Sequence, residues 1–159
     1  MRALTRSRPG YQDDYYLWAL DQAERLRGMA AKRTTDALDW ELLAEEIEEL
    51  ARSDQRACTS YVEQIVSHML KLAYSTETYP RGHWRGEIAA FRSDLQKTLT
   101  RAIEAKLRSE LADIYVDARK RAVERLAEEE PGFAVRVPAV CPYSWEQITG
   151  DWLPERLGP

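Results

Sequence analysis

The sequence predicts an all-α protein: a bundle of about four main helices, the second of them long, with an irregular C-terminal strap. Glycine and proline, which interrupt helices, cluster at Pro9-Gly10, between Pro80 and Gly86, and from Pro131 onward. Between these points, apolar residues recur at spacings of three and four, the period of a helix with one buried face. Strand-like alternation is confined to the short segment Ala134–Val137, so no sheet is predicted.

The first helix is expected to begin near Asp13 or Asp14, because a short side-chain oxygen can accept hydrogen bonds from the free amides of the first turn. Gly28 is a stop or a weak point of this helix, and Met29–Thr35 is predicted to form a loop. The apolar stripe of the helix consists of Tyr15, Trp18, Ala19, Gln22 and Leu26.

The second helix is expected to begin at Asp36 or Asp39, again by capping. No glycine or proline occurs from Asp36 to Tyr79, which allows one helix of about 35 residues and about 50 Å. A break at Ser53-Asp54 would instead form a hairpin. We favour the single helix, because a helical hairpin usually needs a turn with glycine.

Two further helices and a structured tail complete the expected fold. Trp84 to Leu95 carries the stripe of a third helix, and Thr98 or Thr100 can cap a fourth that runs to Leu126. Ser144 and Gln147 form a capping-box pattern for a short helix over Trp145–Thr149. The tail from Val137 to Leu153 is too apolar to be free, so we expect it to lie on the bundle. The residues expected to be buried are Leu43, Ile47, Ile65, Met69, Ile88, Phe91, Leu95, Leu111 and Tyr115.

Length and composition indicate one domain, over residues 11–155, with a flexible basic N-terminal arm (1–10) and a short tail (156–159). The chain has 159 residues, of which 44% are hydrophobic and 31% charged. Its longest uncharged stretch, residues 137–145, is too short to span a membrane. Cys58 and Cys141 are isolated cysteines without a C-x-x-C pattern, as in a cytoplasmic protein with free thiols.

Charge is distributed unevenly along the chain. Residues 36–54 contain eight acids and one base, whereas residues 81–108 contain seven bases and three acids. The favoured interpretation is that these are solvated helix faces. The alternative is a basic face for nucleic acid, which the net charge of −4 and the isoelectric point near 5.3 disfavour.

The sequence lacks the motifs of several common chemistries. It has no P-loop, no G-x-G-x-x-G, no H-E-x-x-H and no G-x-S-x-G. Two histidines cannot form a three-histidine metal site, and neither of them follows a glutamate at the spacing that a di-iron bundle uses. We therefore expect no cofactor and no metal.

Four polar residues lie at the edges of core-facing stripes: Glu46, His68, Lys71 and Arg92. They form either a salt-bridge set that locks helices together, or a polar pocket for a small ligand or divalent metal. Half-buried charges are costly unless they pair, so we expect one shared cluster. If the second helix is unbroken, Glu46 and His68 are about 33 Å apart along its axis and could meet only across a dimer of antiparallel long helices.

The chain resembles the bacterial domain of unknown function 29 family from about Tyr11 to Glu155. The resemblance is carried by Tyr11…Asp14-Tyr15…Trp18…Gln22-Ala23…Leu26-Arg27, Leu38-Asp39…Leu43-Ala44-Glu45-Glu46-Ile47-Glu48…Leu50, His68-Met69-Leu70-Lys71-Leu72, Trp84…Ile88…Arg92, Tyr115…Ala118-Arg119, Cys141-Pro142-Tyr143 and Trp152-Leu153-Pro154. It implies an all-helical domain in a bacterial protein and implies no activity.

Three functions from different classes therefore remain open. The leading hypothesis is a cytoplasmic, non-catalytic interaction or regulatory module that binds a protein partner or forms a homo-oligomer. The first alternative is a small enzyme or ligand-binding protein that uses the polar cluster. The third is a nucleic-acid-associated factor that uses residues 81–108 and the basic N-terminus.

Overall fold

The computed structural model describes residues 8–32 and 38–157 of the chain. Helices hold 71% of these residues, and none of them is in a strand, which confirms the all-α prediction. Most of the expected N-terminal arm, residues 1–7, lies outside the described residues. The described helices are α1 (Tyr15–Ala30), α2 (Trp40–Tyr74), α3 (Arg81–Thr98), α4 (Arg101–Ser109), α5 (Leu111–Leu126), α6 (Phe133–Arg136) and α7 (Trp145–Thr149). None of them is both long enough and apolar enough to cross a membrane.

Aspartate caps begin the first two helices, as predicted. Asp14 accepts a hydrogen bond from the Leu17 amide at 3.0 Å, and Asp39 accepts one from the Leu42 amide at 3.0 Å. α2 continues unbroken for 35 residues, so the alternative of a hairpin at Ser53 is wrong. Gly28 does not stop α1, because a glycine inside a helix costs only about 1 kcal/mol and the helix continues to Ala30.

Two expectations about the second half of the chain are corrected. The single helix predicted after Thr100 is divided at Glu110 into α4 and α5. The Ser109 hydroxyl donates to the Lys106 carbonyl at 2.7 Å, a side-chain bond of the kind that bends helices. The segment Ala134–Val137 is not strand-like, because Phe133–Arg136 forms a helical turn that buries the Phe133 ring.

The core surrounds the C-terminal half of α2, which packs against α3 and α5. Five of the nine residues expected in the core are buried: Ile65, Met69, Ile88, Leu95 and Tyr115. Three are half-buried: Ile47, Phe91 and Leu111. The prediction for Leu43 is wrong, since this side chain is 40% exposed. The first half of α2 packs on α1 through Ala44 and Ala51, and the helices that the structure describes leave Leu43 open to solvent.

The tail is docked on the bundle as predicted, and arginines hold it there. Arg92 donates to the carbonyls of Gln147, Ile148 and Trp152 at 2.7–2.8 Å. Arg119 donates in the same way to carbonyls of Ala134, Val137 and Pro138. The capping box of Ser144 and Gln147 is present and begins α7. Trp145 and Ile148 of this short helix are buried, so the tail completes the core.

Candidate functional site

A groove of about 900 Å³ lies over the C-terminal half of α2, between the start of α3 and the end of α5. The loop that joins α2 to α3 forms one of its edges. The groove is lined by Gln64, His68, Lys71, Glu77, Tyr79, Pro80, His83, Trp84, Arg121, Glu124, Arg125, Leu126 and Glu129. It therefore contains two of the four polar residues that the sequence singles out, His68 and Lys71.

His68 is held in one orientation by its own helix. Its Nδ1 atom lies 2.7 Å from the carbonyl oxygen of Gln64, one turn earlier on α2. A carbonyl only accepts hydrogen bonds, so Nδ1 carries the hydrogen and Nε2 of the neutral ring keeps a free lone pair. Burial lowers the pKa of His68 more than the bond to Gln64 raises it. A neutral imidazole at pH 7 can therefore offer Nε2 to a ligand as an acceptor.

Lys71 is the most unusual residue of the groove. The residue is only 6% exposed, yet its ammonium group has no hydrogen bond or ion pair with any described residue. Burial and, to a smaller extent, the charges of Arg125 and Arg121 together lower its pKa to about 8, against a smaller opposing effect of Glu129 and Glu87. At pH 7 the group is still mostly protonated. The groove thus presents a positive charge that has no counter-ion among the described residues, on a side chain whose stem is buried.

The rim of the groove carries charges of both signs. Arg121 is committed to Glu63 by an ion pair of 2.8 Å, whereas exposed Arg125 has no ion pair with a described residue. Glu77 and Glu129 are exposed at the same rim. The groove is therefore cationic at its floor and mixed at its entrance, which suits a small ligand with one acidic group better than a large polyanion.

The structure places the other two predicted site residues elsewhere. Glu46 is exposed and lines a separate cleft with Arg27 and Arg52, 22 residues before His68 on the same helix, or about 33 Å along its axis. Arg92 is buried against the tail and not in the groove. Within one chain, only His68 and Lys71 share a site. A meeting of Glu46 with His68 across a dimer stays a prediction.

Other expected chemistry can also be placed. Within the described part of the chain, no three His, Cys, Asp or Glu side chains converge to hold a metal ion. Cys58 is a buried free thiol, and burial raises its pKa to about 11, which suppresses the reactive thiolate. Among the bases of residues 81–108, Arg108 pairs with Glu104 and Glu146, and Lys97 pairs with Asp94. These pairs occupy bases that a nucleic-acid face would need.

Sequence reasoning missed Gln64, Arg121 and Arg125. A signal for the two arginines was present, because they are four residues apart on α5 and therefore share a face of that helix. Their position beside Lys71 depends on the register in which α5 packs against α2, which no local pattern contains. Gln64 precedes His68 by one turn, and it acts through its backbone carbonyl, which is independent of residue type.

Replacing Lys71 with methionine is expected to stabilise the protein by about 2 kcal/mol at pH 7, because it removes a buried, uncompensated charge at little change in volume. The pKa of Lys71 is lower in the folded state, about 8, than the ordinary lysine value of 10.5. The unfolded chain thus binds more protons between these values, and the wild type gains stability as pH rises through this window.

Urea unfolding of both proteins at pH 7 and pH 10 measures this effect, and the difference should shrink at pH 10. Lys120→Met is the matched control, because Lys120 lies exposed on α5. It should change stability by no more than about 0.5 kcal/mol. A destabilised Lys71→Met protein would contradict the uncompensated charge.

Comparison with known proteins agrees with this all-helical fold. A crystal structure of an α-helical protein of unknown function from Rhodospirillum rubrum is similar, with a TM-score of 0.74 and 27% sequence identity. The match covers 88% of this chain and 89% of that one. No curated protein matches the chain. The family model described as "Domain of unknown function DUF29" matches residues 11–153. The chain therefore belongs to this DUF29 family.

Proposed function

We propose that this protein binds a small anionic molecule, with a carboxylate or a phosphate-like group, in the groove over α2. The observation that supports the proposal is Lys71, a residue only 6% exposed whose ammonium lines the groove and lacks a counter-ion among the described residues. Burying an unpaired charge is unfavourable, and an anion in the groove would compensate it. Titratable groups with perturbed pKa values are found more often at binding and catalytic sites than elsewhere.

The neighbours of Lys71 favour the same class of ligand. Arg121 and Arg125 are its largest charged influences, and both are cations. Nε2 of His68 can accept a hydrogen bond from a ligand hydroxyl or from a protonated acid group. Glu77 and Glu129 at the rim repel additional negative charge. The ligand is therefore a compact molecule whose acidic group reaches the floor.

Titration calorimetry with sulfate and with malonate tests this proposal, since both remain dianions from pH 7 to pH 9. Each probe is expected to bind at pH 7 and to bind several-fold to about tenfold more weakly at pH 9, because Lys71 then loses its proton. Bound anion stabilises the ammonium, so binding at pH 8 should take up protons from the buffer. Measurements in two buffers of different ionisation enthalpy detect this uptake.

Lys71→Met is expected to lower the affinity for sulfate and for malonate by at least about tenfold. Lys120→Met should leave both affinities within about twofold of the wild-type values. Arg125→Gln should cause a smaller loss than Lys71→Met, because Arg125 is exposed to solvent at the rim. Equal affinities of the wild type and Lys71→Met, or no measurable binding of either probe, would overturn the proposal.

A further inference from the structure

α1 and the first half of α2 form an antiparallel helical hairpin that contributes little to the core. The fully buried apolar residues of this hairpin before Cys58 are all alanines: Ala19, Ala23, Ala44 and Ala51. The main core cluster begins only at Cys58. Small residues let the two helices approach closely, but they bury little apolar area. The hairpin therefore keeps its larger apolar side chains away from the alanine seam.

One side of the hairpin is polar. Arg27 on α1 forms an ion pair of 2.5 Å with Glu48 on α2. Further along the same side, the Tyr16 hydroxyl donates to Gln55 at 3.2 Å. These contacts join the helices in antiparallel register, with the end of α1 beside the start of α2.

The opposite side is an apolar face made of Trp18, Met29, Leu43, Ile47 and Leu50. Leu43, Ile47 and Leu50 are spaced by four and three residues, so they share one side of α2. Leu50 is 57% exposed and Met29 is 37% exposed. Trp18 belongs to an aromatic cluster: its ring centroid lies 5.0 Å from that of Tyr11 and 6.0 Å from that of Tyr15. Leu43 is 40% exposed as well, whereas Trp18 and Ile47 are half-buried, so solvent reaches much of this face.

The margin of the apolar face on α2 is acidic. Glu46 is exposed beside Ile47, and half-buried Asp54, whose pKa is raised by burial, follows Leu50 one turn later. Neither carboxylate forms an ion pair with a described residue, whereas Arg27, Arg52 and Arg56 are already committed to Glu48 and Glu49. A partner with lysines or arginines beside its apolar residues would therefore satisfy both the apolar face and its free acids.

We propose that the apolar face binds a basic amphipathic helix of a partner protein. Such a helix would lie along the hairpin as a third helix, with its apolar residues against Leu43, Ile47 and Leu50 and its cations at Glu46 and Asp54. A second copy of the chain fits this face less well, because pairing α2 with α2 would place the acids of both copies together. This proposal is independent of the groove, which lies at the other end of α2.

Two synthetic 18-residue helical peptides test the proposal on the full-length protein. One combines a leucine face with lysines, and the other has glutamate in place of each lysine. Fluorescence anisotropy is expected to show binding of the basic peptide and at least about tenfold weaker binding of the acidic one. Raising the salt concentration should weaken the binding of the basic peptide, because part of its affinity comes from exposed charges.

Variants locate the peptide on the surface. The double variant Leu43→Gln, Leu50→Gln is expected to bind the basic peptide at least about tenfold more weakly than the wild type. The double variant Val116→Gln, Val135→Gln is the matched control, because it changes two exposed apolar residues outside the hairpin. Its affinity for the basic peptide should stay within about twofold of the wild-type value. Glu46→Gln with Asp54→Asn should weaken binding several-fold and reduce its dependence on salt.

Three results would overturn the proposal. The first is equal binding of the two peptides, and the second is an unchanged affinity in the variant with Leu43→Gln and Leu50→Gln. The third is a dimer in sedimentation experiments that this variant abolishes, because the face would then be occupied by a second copy. Circular dichroism of each variant verifies that the helices are intact before binding is compared.

Discussion

Arg92→Met is expected to destabilise the protein by about 3–5 kcal/mol, because three backbone carbonyls of the tail lose a charged donor at once. The guanidinium donates to the oxygens of Gln147, Ile148 and Trp152 at 2.7–2.8 Å, and the residue is only 7% exposed. Methionine fills a similar volume without donating. The carbonyls must then stay unsatisfied or pull the tail open to reach water.

Urea unfolding and limited proteolysis measure this effect. The tail of Arg92→Met should be cleaved after Pro138 much faster than that of the wild type, because Trp145 and Ile148 lose the anchor that keeps them buried. Arg85→Met is the matched control on the same helix, since Arg85 is exposed, and it should change stability by less than about 0.5 kcal/mol. A stable Arg92→Met protein with a protected tail would show that apolar docking alone holds the strap.

Ile65→Ala is expected to cost about 4 kcal/mol, within the range for large-to-small substitutions at fully buried positions. Ile65 has no exposed surface and belongs to the part of α2 that packs against the other helices. Leu111→Ala should cost about 2 kcal/mol, because Leu111 is half-buried beside the core and its site can fill with water or collapse.

The unfolding midpoints of Ile65→Ala, Leu111→Ala and an exposed control, Val116→Ala, give this comparison directly. The expected order of destabilisation is Ile65, Leu111, Val116, since it follows their burial. Equal losses at Ile65 and Val116 would be incompatible with a core centred on the second half of α2.

The groove and the apolar face differ in how far the sequence could predict them. His68 and Lys71 are three residues apart on one helix, so their proximity follows from helix geometry alone. Arg121 and Arg125 join them because α5 packs along α2, a contact between segments about 50 residues apart. Arg92 was expected in the same cluster, but the tail binds it instead. A long side chain at a core edge has several possible partners, and packing selects among them.

What the sequence determined by itself is where most of the helices begin and that α2 runs unbroken. Asp14, Asp39, Thr100 and Ser144 are capping residues whose hydrogen bonds are local, and the absence of glycine and proline in α2 is also a local property. The tertiary structure alone decided which apolar stripe is covered. Leu43 and Ile65 have equivalent places in the periodicity of α2, yet Leu43 is exposed and Ile65 is buried. The reason is that the core cluster, to which α3 and α5 contribute, includes α2 residues only from Cys58 onward, and burial depends on such long-range contacts.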